Sequence, residues 1–282
     1  MILNEQAKKL IQLSLQEDIG DGDHSSLSCI PADVMGEMKL LVKEDGILCG
    51  VDVAREVIRQ VDESIQMECF MQDGTPIHKG DIVFVLRGPA VSMLTAECNV
   101  LNYMQRMSGI ATSTHEYVEL VKDTNVTLLD TRKTTPNMRI FEKYAVEVGG
   151  ASNHRFGLYD MMMLKDNHID FAGGIEKAID AANEYQRRKG LNLKIEIETR
   201  SLDDVRRVLA HGGVHRIMFD NFSPELIVEG VKLVNHRFET EASGGIVKET
   251  LREYALTGVD FISVGAFTHH ISSLDLSLKF SK

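Results

Sequence analysis

The sequence predicts an α/β protein: a domain built on an antiparallel sheet, then a parallel sheet closing as an incomplete (α/β) barrel. Three observations carry this. Strand-like runs at Leu193–Glu198, Arg216–Asp220, Phe238–Ala242 and Phe261–Gly265 recur about every 22 residues. Helical stretches at Leu202–Ala210, Pro224–Asn235 and Val247–Leu256 separate them without hairpin signals, which is the rhythm of βα units. The chain has 282 residues, 43% of them hydrophobic, enough for a barrel-sized core and a smaller companion.

Taken in order, Glu5–Gln16 reads as an amphipathic helix with Ala7, Leu10, Ile11 and Leu15 on one stripe. Asp18–Ser26 is acidic and glycine-rich but lacks the ligand order of a calcium loop, so a turn is expected. From Gly36 to Leu86 come short alternating segments, Met38–Val42 and Ile82–Leu86 among them, with a helix near Val53–Val61. A longer helix from about Ser92 repeats Leu94, Cys98, Leu101 and Met104, and runs into Arg106–Thr112, where the domain junction is placed. Ser272–Phe280 alternates Leu274, Leu276 and Leu278 as a strand returning to the N-terminal sheet. The expected domains are 1–113, joined by 268–282, and 114–267. Only six or seven strands fit between residues 114 and 267, fewer than the eight of a full barrel.

Composition excludes several classes. The net charge of −11 argues against nucleic acid. No apolar run approaches the roughly 18–20 residues of a membrane span, and the N-terminal residues lack the layout of a signal peptide. Cys29, Cys49, Cys69 and Cys98 are widely spaced, so buried, reduced thiols of a cytoplasmic protein are expected.

Against that acidic background, Arg132, Lys133, Arg139, Lys143, His154, Arg155, Lys165 and His168 fall within about forty residues. Several follow buried-strand runs, Val126–Leu129 and Met161–Leu164. Cations at strand ends point to a pocket for a small, multiply anionic ligand rather than to scattered surface charges. Glu198 ends an alternating strand that puts Glu196 on the same face. Asp220 ends the next strand, where it is either a helix-opening turn residue or Glu198's partner. Such carboxylates can hold sugar hydroxyls, a divalent metal or a developing positive charge. Ser243-Gly244-Gly245 and Val264-Gly265-Ala266 put small residues at the last two strand ends, where barrels often bind phosphate.

The motifs Asn102-x-x-x-Arg106-x-Ser108-Gly109-Ile110-Ala111-Thr112, Asp130-Thr131-Arg132-Lys133-Thr134-Thr135-Pro136, Glu142-Lys143-Tyr144-Ala145-Val146, Asn153-His154-Arg155 and Lys165-Asp166-Asn167-His168 together resemble the quinolinate phosphoribosyltransferase family over nearly the whole chain. The resemblance implies an N-terminal α/β sandwich domain and a seven-stranded-like incomplete barrel. It implies transfer of phosphoribose from phosphoribosyl pyrophosphate to quinolinate with loss of carbon dioxide, giving nicotinate mononucleotide and pyrophosphate in NAD biosynthesis, with magnesium (Mg2+). The implied catalytic residues are Lys165, Glu198 and Asp220, the last two also holding the metal. Substrate binding is implied for Arg106, Thr131, Arg132, Lys133, His154, Arg155, Lys165, Glu198, Asp220, Ser243, Gly244, Gly245, Val264, Gly265 and Ala266. Arg106 is expected to reach in from a neighbouring subunit of a homodimer or a hexamer built as a trimer of dimers. Three positions depart from the family pattern: Asn137 for glycine, Glu147 where a base is common, and Ala151 for a third glycine.

Three other readings compete. A paralogous molybdenum-associated protein of the same fold is disfavoured by Asn153-His154-Arg155 and Lys165-Asp166-Asn167-His168 together. An aldolase would use Lys165 as a Schiff-base amine. A non-catalytic phosphate sensor has only the glycine loops in its favour.

Overall fold

The computed structural model describes residues 3–281. In chain order, α1 (Glu5–Ile19) and α2 (His24–Cys29) precede β1 (Met35–Val42), β2 (Gly46–Ile47), α3 (Val51–Val61), β3 (Gln66–Cys69), β4 (Pro76–Ile77), β5 (Ile82–Pro89) and the long α4 (Ala90–Val121). There follow β6 (Thr127–Leu129), α5 (Arg139–Val148), β7 (Met162–Leu164), α6 (Asp166–Ala172), α7 (Ile175–Lys189), β8 (Ile195–Thr199), α8 (Leu202–His211), β9 (Arg216–Asp220), α9 (Pro224–Val234), β10 (Glu239–Ser243), α10 (Leu251–Ala255), β11 (Phe261–Ser263), α11 (Ala266–His269) and β12 (Leu276–Phe280). The chain divides into two compact units. The first holds residues up to His115, Thr134–Gly150 and Phe267 onward; the second holds Glu116–Lys133 and Ala151–Ala266.

The first unit carries an antiparallel sheet in the order β12-β1-β5-β3. Met38, Leu40 and Val42 alternate inward along β1, as a strand with one buried face requires. Leu40 pairs with Leu278 on one side and Phe84 on the other, so the C-terminal segment does return to this sheet. Arg106–Thr112, expected as a junction, is helical within α4, because Met104, Met107, Ile110 and Ala111 continue its buried stripe. The Asp18–Ser26 turn is only half as long as expected: Asp23 accepts the Ser26 amide at 3.1 Å and starts α2. Relative to the limits drawn from sequence, the added piece of this unit is Thr134–Gly150. Phe141 of α5 sits 4.9 Å from the Tyr103 ring, and a Cβ on Gly149 would meet the Ala111 carbonyl at 2.6 Å, so these two helices pack almost backbone to backbone. Of the four cysteines, all free thiols, only Cys49 is buried; Cys29 and Cys98 are exposed, which corrects the expectation for those two.

The second unit is a six-stranded parallel sheet, β6-β11-β10-β9-β8-β7. Ser152 adds one parallel bridge to Leu129, so the ring is incomplete, as its strand count implied. Ile195, Ile197, Ile217, Phe219, Ala242 and Ile262 are fully buried. Ser201 and Ser223 cap α8 and α9, and Pro224 occupies the first turn of α9. Parallel strands end on one side, so residues 130, 165, 198, 220, 243 and 264 all stand at or next to the same edge of the sheet.

Candidate active site

At the edge of β7 and β8 the geometry is tight. Lys165 precedes α6, and its Nζ lies 2.7 Å from Glu198 Oε1. Glu198 Oε2 accepts the Asp166 amide at 3.2 Å, so both carboxylate oxygens are engaged. The lysine side chain is 46% exposed and the glutamate 9%; water therefore screens the ammonium end, and the pair is modest in energy but fixed in direction. One strand on, the half-buried Asp220 accepts from the Asn221 side chain at 2.9 Å. Asn221 has a φ of 57° and donates its amide to the Ser243 carbonyl at 2.8 Å. Gly244 follows with φ of 100°, and a Cβ there would collide with the Asn221 side chain. Glycine is required at that point by conformation and by space. Ser243, Gly244 and Gly245 are thus placed beside Asp220. Val264 donates its amide to the Leu129 carbonyl at 2.8 Å, which seats Val264-Gly265-Ala266 beside the strand that leads into Thr131-Arg132-Lys133.

The cations converge on the β6 and β7 side. Thr131 Oγ1 accepts the Lys133 amide at 3.1 Å and turns the chain after Asp130. Arg155 donates to the Met161 carbonyl at 3.1 Å. Burial lowers the Arg155 pKa from its ordinary value and the nearby Arg132 charge lowers it further. Two half-buried guanidiniums that repel one another form a site that an anion relieves.

A second cluster was not foreseen. His154, expected to touch substrate, is only 9% exposed. Its Nε2 stands 3.0 Å from Glu196 and 3.3 Å from Glu241. Glu241 also meets Arg216 Nη1 at 2.8 Å, and the Arg216 guanidinium stacks 3.9 Å from the Phe261 ring centroid. Burial, then the Glu241 charge, pushes Glu196 up to about 7. His154, Glu196 and Glu241 have ligand atoms within 4.8 Å of one another, but Arg216 already supplies the compensating cation. The alternation that put Glu196 on the face of Glu198 was its one sequence signal; Glu241 and Arg216 gave none, because the strands that bring them to His154 are far apart in the chain.

Arg106 belongs to the first unit. Its Nε and Nη2 bond Glu142 Oε1 at 2.8 and 2.6 Å, and Nη2 also reaches Thr135 Oγ1 at 2.8 Å. Glu142 is fully buried and accepts the Thr135 amide at 3.1 Å through its other oxygen. Asn137 adopts a φ of 64°, so asparagine keeps the turn that glycine commonly makes. Glu147 is exposed and Ala151 buried. An open groove of about 750 Å³ beside α1, lined by Lys8, Gln12, Gln16 and Arg59, also lies in the first unit and holds none of the site residues.

Comparison with known proteins places both halves of the chain in one family. Residues 110–279 match the family model of the quinolinate phosphoribosyl transferase C-terminal domain, and residues 23–108 match that of the N-terminal domain. The chain is 43% identical to quinolinate phosphoribosyltransferase (decarboxylating) 1b of Nicotiana tabacum, over 96% of this chain and 81% of the relative. It is 42% identical to a probable nicotinate-nucleotide pyrophosphorylase (carboxylating) of Bacillus subtilis, over 97% and 93%. The solved structure of the nicotinate-nucleotide pyrophosphorylase from Francisella tularensis superposes with a TM-score of 0.93 at 40% identity, covering 100% of this chain and 98% of that one. With both of its halves matched and its strand-end residues so arranged, the chain belongs to the quinolinate phosphoribosyltransferase family.

Proposed function

We infer that the protein transfers phosphoribose from phosphoribosyl pyrophosphate to quinolinate, releasing pyrophosphate and carbon dioxide and leaving nicotinate mononucleotide. The observation that carries this is the opposed pair Arg132 and Arg155, with Lys165 at the neighbouring strand end. Quinolinate has two carboxylates on adjacent ring carbons, and two guanidiniums plus an ammonium complement that charge. The pyridine nitrogen attacks the anomeric carbon as pyrophosphate departs. Glu198 and Asp220 face the sugar and stabilise the positive charge that develops there. Thr131 and Lys133 from the first strand end, Ser243, Gly244 and Gly245 from the fifth, and Val264, Gly265 and Ala266 from the sixth offer hydroxyl, ammonium and backbone amides to the phosphates. Positioning and electrostatics supply the catalysis, since the nucleophile belongs to the substrate.

Magnesium suits this donor set. Carboxylate oxygens at adjacent strand ends are hard ligands of the kind Mg2+ takes alongside substrate phosphates. Asp220 would bind it directly; Glu198, already held by Lys165 and Asp166, would act through a sugar hydroxyl or water. When bound, the ion neutralises the departing pyrophosphate. Arg106 completes the acid-binding pocket from a second subunit, so the working form is a homodimer or a trimer of dimers. No helix among the described residues is long and apolar enough to cross a membrane, which fits a cytoplasmic enzyme. The Lys165–Glu198 ion pair disfavours the Schiff-base reading, because an ion-paired ammonium has no lone pair to offer.

Pyrophosphate release with quinolinate and with nicotinate as acceptor tests the assignment. Quinolinate should react and nicotinate be far poorer, because one carboxylate leaves part of the cationic site uncompensated. Comparable turnover with the two acids would overturn it.

A further inference from the structure

His154 joins the two segments that present the arginines. Its backbone N–H donates to Asp130 Oδ1 at 2.7 Å, two residues before Arg132. Its ring Nδ1 accepts the Arg155 amide at 2.7 Å. Its Nε2 points to Glu196 and Glu241, which come from β8 and β10. Arg216 from β9 faces the same carboxylates, and Arg132, Asp130 and Arg155 complete the charged surroundings.

These contacts fix the form of the ring. Burial disfavours a charge on the His154 ring while the two carboxylates favour one, so the partner of Nδ1 decides its form. A proton on Nδ1, however, would confront the Arg155 N–H aimed at that atom. The amide needs the lone pair, so the neutral ring with its hydrogen on Nε2 is the form that accepts it while keeping an N–H on the side of the two carboxylates.

We propose that His154 is a positioning residue rather than a substrate ligand: as a neutral Nε2–H imidazole seated between Glu196 and Glu241, it locks the Asp130 and Arg155 backbone segments so that the two arginines face the acid substrate together. Two guanidiniums that repel one another need a firm backbone beneath them, and the brace adds to the bond that Arg155 makes to the Met161 carbonyl. The role rests on Arg132 and Arg155 being the quinolinate ligands.

Two measurements test it on the full chain. The first is ¹⁵N NMR of histidine-labelled protein at neutral pH. The His154 ring should show one protonated nitrogen, Nε2, and one bare nitrogen, Nδ1; a ring protonated on both overturns the proposal. The second compares His154→Asn with His154→Gln. Asparagine places an acceptor near the Nδ1 position, and glutamine a donor near the Nε2 position. His154→Gln should raise the KM for quinolinate about tenfold, the size of one lost buried hydrogen bond. Its kcat and its KM for phosphoribosyl pyrophosphate should stay within about threefold, while His154→Asn, which keeps an acceptor for the Arg155 amide, should raise the quinolinate KM less. Equal damage in both variants, spread over kcat and both KM values, would mean a merely structural histidine and overturn the role. Arg155→Ala measured alongside separates the premise: if quinolinate still saturates it normally, the ligand assignment fails instead. Should either histidine variant not fold, the NMR result on the unaltered protein decides.

Discussion

Glu198 meets Lys165 at 2.7 Å, and Asp220 stands one strand away, its Oδ2 accepting from the Asn221 side chain. Both carboxylates stand at the strand-end edge, and the proposed reaction gives them the charge that develops on the sugar. Glu198→Gln and Asp220→Asn keep shape and delete charge. Each should lower kcat and kcat/KM together by about 10²–10³, the range of a lost electrostatic stabiliser. Quinolinate affinity measured by calorimetry should be retained; a variant that loses quinolinate binding but keeps kcat at saturation would put that acid on the wrong side of the site. Lys165 and Glu198 were legible in the sequence because each ends or follows a short apolar run, whereas Arg132 and Arg155 stood out as cations clustered within an acidic chain. Glu241 and Arg216 were not. Their neighbour His154 comes from a segment about 60 to 90 residues earlier, and only the parallel register of β8, β9 and β10 brings the four groups together.

Strands are where the sequence was read most closely. Arg216–Asp220 and Glu239–Ser243 match their runs to within a residue; Ile217, Met218 and Phe219 give the first the continuous apolar run of a strand buried on both faces. Helices fared less evenly. α7 was overlooked although Ile175, Ala178, Ile179 and Ala182 form its buried stripe, because small alanines give a weak apolar signal. α10 is shorter than Val247–Leu256, since Val247 and Thr250 form a turn instead. Two predictions belong to this scale. Gly230 of α9 lies against Phe219 of β9, and a Cβ there would stand 2.6 Å from the ring. Gly230→Ala should destabilise by about 1–3 kcal/mol through overpacking, which outweighs the roughly 1 kcal/mol gained in helix propensity. Urea titration should show a lower midpoint at unchanged slope, and an unchanged midpoint would mean that α9 shifts freely. Glu176 of α7 pairs with Arg207 of α8 at 2.6 Å, and that bond lowers its pKa to about 2. A carboxylate held below its unfolded value stabilises above that value and ceases to do so as pH falls through the folded one. The melting-temperature gap between wild type and Glu176→Gln should therefore be small at neutral pH, because the pair is exposed. It should then close between about pH 4.5 and 2; a gap that persists unchanged at pH 2 would assign it to packing.

At the scale of the whole molecule, the order of motifs along the chain was legible, and the number of subunits was not, because an interface between copies leaves no periodicity in one sequence. Arg106 makes the question concrete. Its Nε and Nη2 are spent on Glu142, Thr135 and the Thr268 carbonyl, which orients the guanidinium and leaves Nη1 outside those bonds. Replacing it by alanine would strand the fully buried Glu142 without its partner, at a cost of about 3–5 kcal/mol for a broken buried pair. Arg106→Gln keeps a donor for that carboxylate and is the better probe. Paired with Lys165→Ala, it distinguishes a site made by two chains from one made by a single chain. If Arg106 serves the neighbour, a hybrid dimer of the two variants contains one pocket with both groups intact and one with neither. Random exchange at equal amounts makes half of the dimers hybrids, and each has one good site of two, so activity should recover to about a quarter of wild type. If Arg106 serves its own chain, each pocket in the hybrid lacks one group and nothing recovers. Exchange must be verified independently, by mass spectrometry of differently tagged chains. With exchange complete, activity that stays at the level of the separate variants would place Arg106 in its own subunit's site.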